Sequence, residues 1–340
     1  ASGARSFRFG PTRDWVEALQ VVLPNGEVLE IDRQDPIPTD WPRCQWIAPK
    51  VKTAAGYMDS GQLIDLFIGQ EGTLGVVTEA TLRLTESPEH RFSLLSFFED
   101  LDSCLNFVER LRRQEKDSLV SPSCIEFFGP QAIDWIRESA GDLSENAHYG
   151  LWCEQDSTLL DEDNRIEAWF ELLESSGASI DDTLFAQDDK SRARIAKMRH
   201  AIPAGINEQV VANGMPKVGT DCSVPEEKLR EMIQAYVSVD MPHVLFGHIG
   251  NAHLHLNMLP TNAEELAKAK AIYRDLCRLA VSLGGSVSAE HGIGKLKRDH
   301  FSDMVGPEIL QTFRKLKRHL DRNWILGRGN LFDVEESKES

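Results

Sequence analysis

Apolar and polar positions change their pattern along this 340-residue chain near residue 86. Before it, residues 14–31 carry two β-rich runs joined at Asn25-Gly26, a dipeptide suited to a two-residue hairpin because that turn needs positive φ at its centre. A connection containing Pro and Trp (35–50) leads to a helix predicted over 61–70. The run Gly72-Thr73-Leu74-Gly75-Val76-Val77 then turns on its glycines and becomes a strand that ends near Leu84. Residues 1–86 thus read as a small α+β unit. From Arg91 the pattern predicts strands near 91–98, 122–128, 148–154, 181–186, 217–223, 243–248, 253–259 and 285–289. Between them it predicts helices near 101–114, 130–138, 160–176, 188–211, 226–237, 262–283 and 306–319. That order implies one antiparallel or mixed sheet with helices on a face. Glu335 to Ser340 reads as a frayed polar tail.

The two-residue period gains chemical content between Gly247 and Met258. His253, His255 and Asn257 fall on one face there, and Leu254, Leu256 and Met258 on the other. An unbroken strand would put His248 and His255 on opposite faces, but the intervening Gly250-Asn251-Ala252 turn lets the chain fold back and bring the two imidazoles together. About thirty residues on, Ser288-Ala289-Glu290-His291-Gly292-Ile293-Gly294 supplies a carboxylate and a further imidazole. Nitrogen donors with one hard oxygen suit Zn²⁺ or a similar divalent ion that keeps a position open for substrate. Taken singly, each histidine also fits a satisfied polar residue at a sheet rim. The grouping of four of the 10 histidines in two glycine-bounded segments favours a shared site.

Composition narrows the partners. With 54 acidic and 37 basic residues the net charge is −17, and no block of five or more basic residues occurs, which argues against nucleic acid and anionic membrane surfaces. No apolar run is long enough to span a bilayer and no signal-like segment opens the chain, so the cytoplasm is the expected compartment. Cysteines 44, 104, 124, 153, 222 and 277 are dispersed without a C-x-x-C pair, which excludes the local spacing of iron–sulfur or thiolate zinc sites. Ala1-Ser2-Gly3-Ala4-Arg5 reads as the middle of a larger unit.

Several motifs, in order, carry a resemblance. They are Ala1-Ser2-Gly3-Ala4-Arg5-Ser6 with Gly10-Pro11-Thr12-Arg13-Asp14, then Ala55-Gly56-Tyr57, Gly72-Thr73-Leu74-Gly75, the His248 to His255 segment, Ala289-Glu290-His291-Gly292-Ile293-Gly294 and Gly329-Asn330-Leu331-Phe332. With them the chain resembles the flavin-linked D-2-hydroxyacid dehydrogenases of the vanillyl-alcohol oxidase (PCMH-type FAD) superfamily. That group includes D-lactate dehydrogenases, the glycolate oxidase flavin subunit and D-2-hydroxyglutarate dehydrogenase. The resemblance implies an α+β protein in three parts. Residues 1–86 would be the second subdomain of the FAD-binding domain. Residues 87–320 would be a larger FAD-linked oxidase C-terminal domain, with an antiparallel sheet and flanking helices. Residues 321–340 would return to the flavin domain. The first FAD subdomain, with its Gly-rich pyrophosphate loop, is missing, so the chain reads as a fragment.

The resemblance also implies roles. Gly72, Thr73, Gly75 and Val77 would run along FAD, with Ser2, Gly3, Arg13 and Asp14 nearby; the plainer alternative for the glycines is tight turns without a ligand. His248, His255 and Glu290 would hold a divalent metal, zinc, which polarises the substrate hydroxyl, and His291 would be the base for the hydroxyl proton while hydride passes to the flavin. Arg199 would clamp the substrate carboxylate, with Lys217 as a second cation and Asn257 as a substrate contact. The plainer alternative is that Arg199 is one of several basic residues, with Arg192 and Arg194, on a solvated helix face. A small 2-hydroxy acid and a downstream electron-acceptor protein or quinone are the implied partners, and a homodimer is left open. Three departures stand out. Relatives carry Asp-Gly-Asn where this chain has Asn251-Ala252-His253, so an extra imidazole enters the site. Leu326-Gly327-Arg328-Gly329 replaces a flavin-facing Asn, and Thr53 replaces the Asn of a Lys-Asn-x-x-Gly-Tyr run. A zinc hydrolase is a competing reading, although it lacks an H-E-x-x-H helix; a non-catalytic subunit awaiting a partner is another.

Overall fold

The computed structural model describes residues 2–115, 118–140 and 143–333, so the tail expected to fray lies outside the described residues. Strands β1 (Val16–Val22), β2 (Val28–Asp32) and β3 (Val76–Leu82) form an antiparallel sheet in the order β2-β1-β3. The strands join at Asn25-Gly26, but through a wider loop than a two-residue turn: the Leu23 N–H bonds the Glu27 carbonyl and the Gly26 N–H bonds the Leu23 carbonyl. Gly26 takes φ 85° while Asn25 does not take a positive φ, and Asn25 Oδ1 accepts the Glu27 N–H at 3.0 Å.

A second sheet contains β4 (His90–Phe98), β5 (Cys124–Phe128), β6 (Tyr149–Ser157), β7 (Ser179–Ala186), β8 (Val218–Gly219), β9 (His243–Gly247) and β10 (His255–Met258). Its order is β7-β4-β6-β5-β9-β10-β8, antiparallel throughout. The helices are α1 (Ser6–Phe9), α2 (Leu63–Phe67), α3 (Leu101–Arg112), α4 (Pro130–Ala140), α5 (Glu162–Glu174), α6 (Asp189–Asn213), α7 (Leu229–Val237), α8 (Ala263–Ser282) and α9 (Arg298–Leu320). Asp100, Asp188 and Asn262 cap α3, α6 and α8 by accepting first-turn N–H groups.

Helices cover both faces of the large sheet rather than one. Alternate residues of β4 and β5 divide between two cores: Phe92, Leu94, Ile125 and Phe127 pack with Leu105, Phe107 and Trp169 of α3 and α5, while Leu95, Phe97 and Phe128 pack with Ile133, Ile195 and Ile202 of α4 and α6. No helix among the described residues is long and apolar enough to cross a membrane.

Two expected elements differ. The strand expected at 285–289 is a single bridge between Ser286 and Ser223, and the strand expected at 217–223 shrinks to β8. Here the two backbones approach so closely that a Cβ on Gly285 would lie 2.1 Å from the Ser223 carbonyl oxygen, and the chain then turns away to form the site loop. The helix expected near 306–319 is present as the second half of α9: Gly306 is non-helical (φ 78°, ψ 163°) and the helix restarts at Pro307, after a first half from Arg298 that the sequence pattern did not predict.

Candidate active site

Strand β9 ends at Gly247, a short 3-10 turn spans Ile249–Asn251, and Ala252 takes a left-handed φ of 50° before the chain returns as β10. This reversal gathers three imidazoles edge to face: ring centroids are 5.6 Å apart for His248 and His255, and 4.5 Å for His253 and His255. The loop after Ser286 delivers Glu290, whose Oε2 lies 3.2 Å from His248 Nε2 and 3.9 Å from His255 Nε2. One donor atom from each of His248, His253, His255 and Glu290 falls within 4.8 Å of the others. The three ligands expected from sequence, His248, His255 and Glu290, are therefore together, and His253 stands beside them.

Behind this cluster lie groups that orient it. His248 Nδ1 meets Glu126 Oε1 at 2.5 Å, and His255 Nδ1 is 3.4 Å from the Thr220 carbonyl. Each bond fixes a ring and turns its other nitrogen toward the cluster. Lys52 Nζ and Ser2 Oγ donate to Glu290 Oε1 at 2.5 and 3.0 Å. Asp221, fully enclosed, accepts from Lys297 Nζ at 2.7 Å, Ser288 Oγ at 2.8 Å and the His291 N–H at 2.9 Å.

Electrostatics follow from these contacts. Burial pushes His255 well below the ordinary imidazole value, and neighbouring His253 and His248 push the same way, so its ring is neutral and offers a lone pair. Burial also lowers His253, against the pull of Asp221. For His248 burial acts downward, but Glu126 and Glu290 outweigh it and hold the ring above its ordinary value. Burial would raise Glu290; His248 and Lys52 overcome it and keep the carboxylate ionised. A buried anionic carboxylate with imidazoles around it fits a divalent ion.

His291 stands at the rim. Its side chain is 60% exposed, its ring lies parallel to that of His255 at 5.2 Å, and Nδ1 is 3.7 Å from Asp221 Oδ2. Arg199 does not share a solvated face with Arg192: its guanidinium is largely buried, 3.4 Å from Glu126 and over the Phe246 ring at 5.6 Å. Arg192 instead binds the carbonyls of Arg91 and Gln187. Asn257 is buried and faces Gly219 across the β10–β8 register. Lys217 is exposed just before β8, and no contact among the described residues ties it to the cluster.

The residues expected to face flavin separate into two groups. Ser2 and Arg13 line a cavity of about 530 Å³ together with Gly10, Lys50, Lys52, Thr53, Gly69 and Glu290. A cavity of that size is large enough for a drug-sized ligand. Arg13 is also a structural tie to Asp65 and the Ile68 carbonyl, Asp14 packs against Gly10, and the Gly3 carbonyl accepts from Ser6. Gly72, Thr73 and Gly75 lie outside that lining. The Thr73 hydroxyl sits between the Tyr57 hydroxyl (2.6 Å) and the Gln70 carbonyl (2.5 Å), Gly75 backs onto Val21, and Val77 is exposed on β3.

Sequence reasoning passed over Glu126, Asp221, Lys52, Lys297 and Glu71. Glu126 had a signal: one acidic residue in the otherwise apolar run Cys124-Ile125-Glu126-Phe127-Phe128, where a buried charge needs partners. Glu71 had none. It occupies a strained φ of 56° and accepts the N–H groups of Ile293 and Gly294 at 2.6 Å each.

Residues 87–331 match the model of FAD linked oxidases, C-terminal domain, and the chain belongs to this family of flavin-linked enzymes. It is 26% identical to glycolate oxidase subunit GlcD of Bacillus subtilis (strain 168), over 99% of this chain and 67% of that one. It is 28% identical to a D-lactate dehydrogenase of Anaerostipes hadrus (97% and 67%) and 28% identical to a D-2-hydroxyglutarate dehydrogenase of Stutzerimonas stutzeri (strain A1501) (98% and 68%). Among solved structures, an alkyldihydroxyacetonephosphate synthase shares the fold with a TM-score of 0.64 at 16% identity, covering 96% of this chain and 55% of that one. p-Cresol methylhydroxylase with substrate bound shares it with a TM-score of 0.63 at 15% identity, covering 95% and 66%. The chain thus spans about two thirds of the curated relatives' length and 55% of the synthase.

Proposed function

We propose that this chain carries the substrate-side part of an FAD-dependent enzyme that oxidises a D-2-hydroxy acid of the lactate, glycolate or 2-hydroxyglutarate type to the 2-oxo acid. The convergence of His248, His255 and Glu290 beside His291, in a member of the FAD-linked oxidase family, is the observation that carries this reading. When bound, FAD supplies the two-electron acceptor and a divalent ion at His248, His255 and Glu290 supplies a Lewis acid. The chain's own groups do the rest. Arg199 holds the substrate carboxylate, exchanging its long 3.4 Å contact with Glu126 for a bidentate one. His291, open to the rim, takes the hydroxyl proton. Glu126 keeps the His248 ring turned inward. On this reading residues 1–86 are the flavin-side subdomain, 87–320 the substrate domain and 321–340 a return to the flavin side, and electrons leave to an acceptor protein or quinone.

The test is anaerobic. The chain is incubated with FAD and a divalent ion, desalted, and titrated with D-lactate, glycolate and D-2-hydroxyglutarate. The reading predicts retained flavin whose visible absorption bleaches with at least one of the acids and not with L-lactate, and a chelator that stops the bleaching. Flavin that none of them reduces contradicts it.

A further inference from the structure

We propose that His253 is a fourth protein ligand. The centre is then a three-histidine, one-carboxylate site for an ion that takes six ligands, manganese(II) or iron(II), and not for four-coordinate zinc. The proposal rests on the metal-assisted reading above and specifies which donors and which ion that site uses.

The environment of His253 carries the argument. Its side chain is 0% exposed and Nδ1 has no hydrogen-bond partner, an arrangement that a buried imidazole avoids unless something else occupies that nitrogen. Nε2 faces Asp221 Oδ1 at 3.0 Å, which leaves Nδ1 as the nitrogen free for an ion. The three imidazoles share one plan. His248 backs onto Glu126, His255 onto the Thr220 carbonyl and His253 onto Asp221, each with one nitrogen near an oxygen and the other left over. This is the outer-shell arrangement of metal-binding histidines. Asp221 cannot swing away to release the ring, because Lys297, Ser288 and the His291 N–H hold it.

Four protein donors have a consequence for the ion. In a tetrahedral zinc site they fill every position, as in structural zinc centres, and substrate finds none open. A six-coordinate ion keeps two positions, the number that a 2-hydroxy acid needs to chelate through its hydroxyl and one carboxylate oxygen.

The experiment is an anaerobic titration of the chelator-treated chain with Co²⁺, followed by D-lactate, in the unaltered protein and in His253→Asn. The proposal predicts weak visible absorption typical of a six-coordinate Co²⁺ that shifts on adding D-lactate. In His253→Asn it predicts Co²⁺ affinity reduced by at least about 100-fold, the upper end of what losing an outer-shell partner costs. Intense tetrahedral absorption in the unaltered chain, indifferent to D-lactate, overturns the proposal without any variant. So does a His253→Asn protein with unchanged Co²⁺ affinity and spectrum; in both cases the metal-assisted reading stands. An unaltered chain that binds no Co²⁺, Mn²⁺ or Zn²⁺ overturns that reading and this proposal together.

Discussion

Glu126 shows how much one side chain can organise. A carboxylate on a strand buried on both faces costs several kcal/mol unless it is paired. Glu126 is paired twice, with His248 on one oxygen and Arg199 on the other. Glu126→Gln should therefore weaken divalent-ion binding by about 10–100-fold, as outer-shell losses do, and isothermal titration with Mn²⁺ measures it. An unchanged affinity would reduce Glu126 to a packing residue. Arg199→Lys keeps the charge and loses the planar fork, so KM for the acid should rise with a smaller fall in kcat; an unchanged KM removes Arg199 from the substrate site. At this scale the donors were legible and their supports were not. His248, His255 and Glu290 stand in short glycine-bounded motifs, whereas Glu126 is 122 residues from His248 and Lys52 is 238 from Glu290, separations that no local pattern encodes.

At the scale of elements, the loop carrying Glu290 and His291 is held by backbone as much as by side chains. Gly292 and Gly294 take φ of 72° and 53°, which turns successive N–H groups to one side, and the carboxylate of Glu71 fills the resulting concavity. Since Glu71 adjoins Gly72-Thr73, it ties that turn to the His291 loop. Glu71→Gln should cost about 1.5–3 kcal/mol in urea unfolding, the range for hydrogen bonds to a charged group, and should lower turnover without removing bound metal. A stable variant with normal turnover would make the contact incidental. The end of α9 offers a pH test. Lys317, buried, bonds Asp321, the Thr73 carbonyl and the Leu326 carbonyl. Burial would raise Asp321, but Lys317 and the Leu326 and Ile325 N–H groups hold it below the ordinary carboxylate value. Its contribution is thus present above the unfolded pKa of about 3.9 and lost as pH falls through the lower folded value. The stability gap between the unaltered chain and Asp321→Asn should be wide at neutral pH and close on acidification; a gap that widens in acid contradicts this sign. Periodicity revealed most of these elements. It failed at 285–289, where close backbone approach overrides local propensity, and it passed over the half of α9 that precedes the kink at Gly306.

For the whole molecule, alternation and turn residues made both the hairpin unit and the long run of strands and helices legible. The coverage of both faces of the large sheet was not, because strands such as β4 are apolar on both sides and lose the contrast that marks a solvated face. The convergence of the chain's start, the segment around Lys52 and the loop at Glu290 on one cavity was equally hidden. It depends on contacts such as Ser2 to Glu290, 288 residues apart. The account's central claim is a division of labour within that convergence: His248, His255 and Glu290 hold an ion, and His291 beside them moves the proton. The measurement that tests it most directly is the metal content of the purified unaltered chain, His255→Ala and His291→Ala, each also assayed for flavin reduction by D-2-hydroxy acids. The account predicts that His255→Ala loses metal and reduction together, while His291→Ala keeps its metal and loses reduction. Equal loss of metal from both variants, or full metal in His255→Ala, would contradict it.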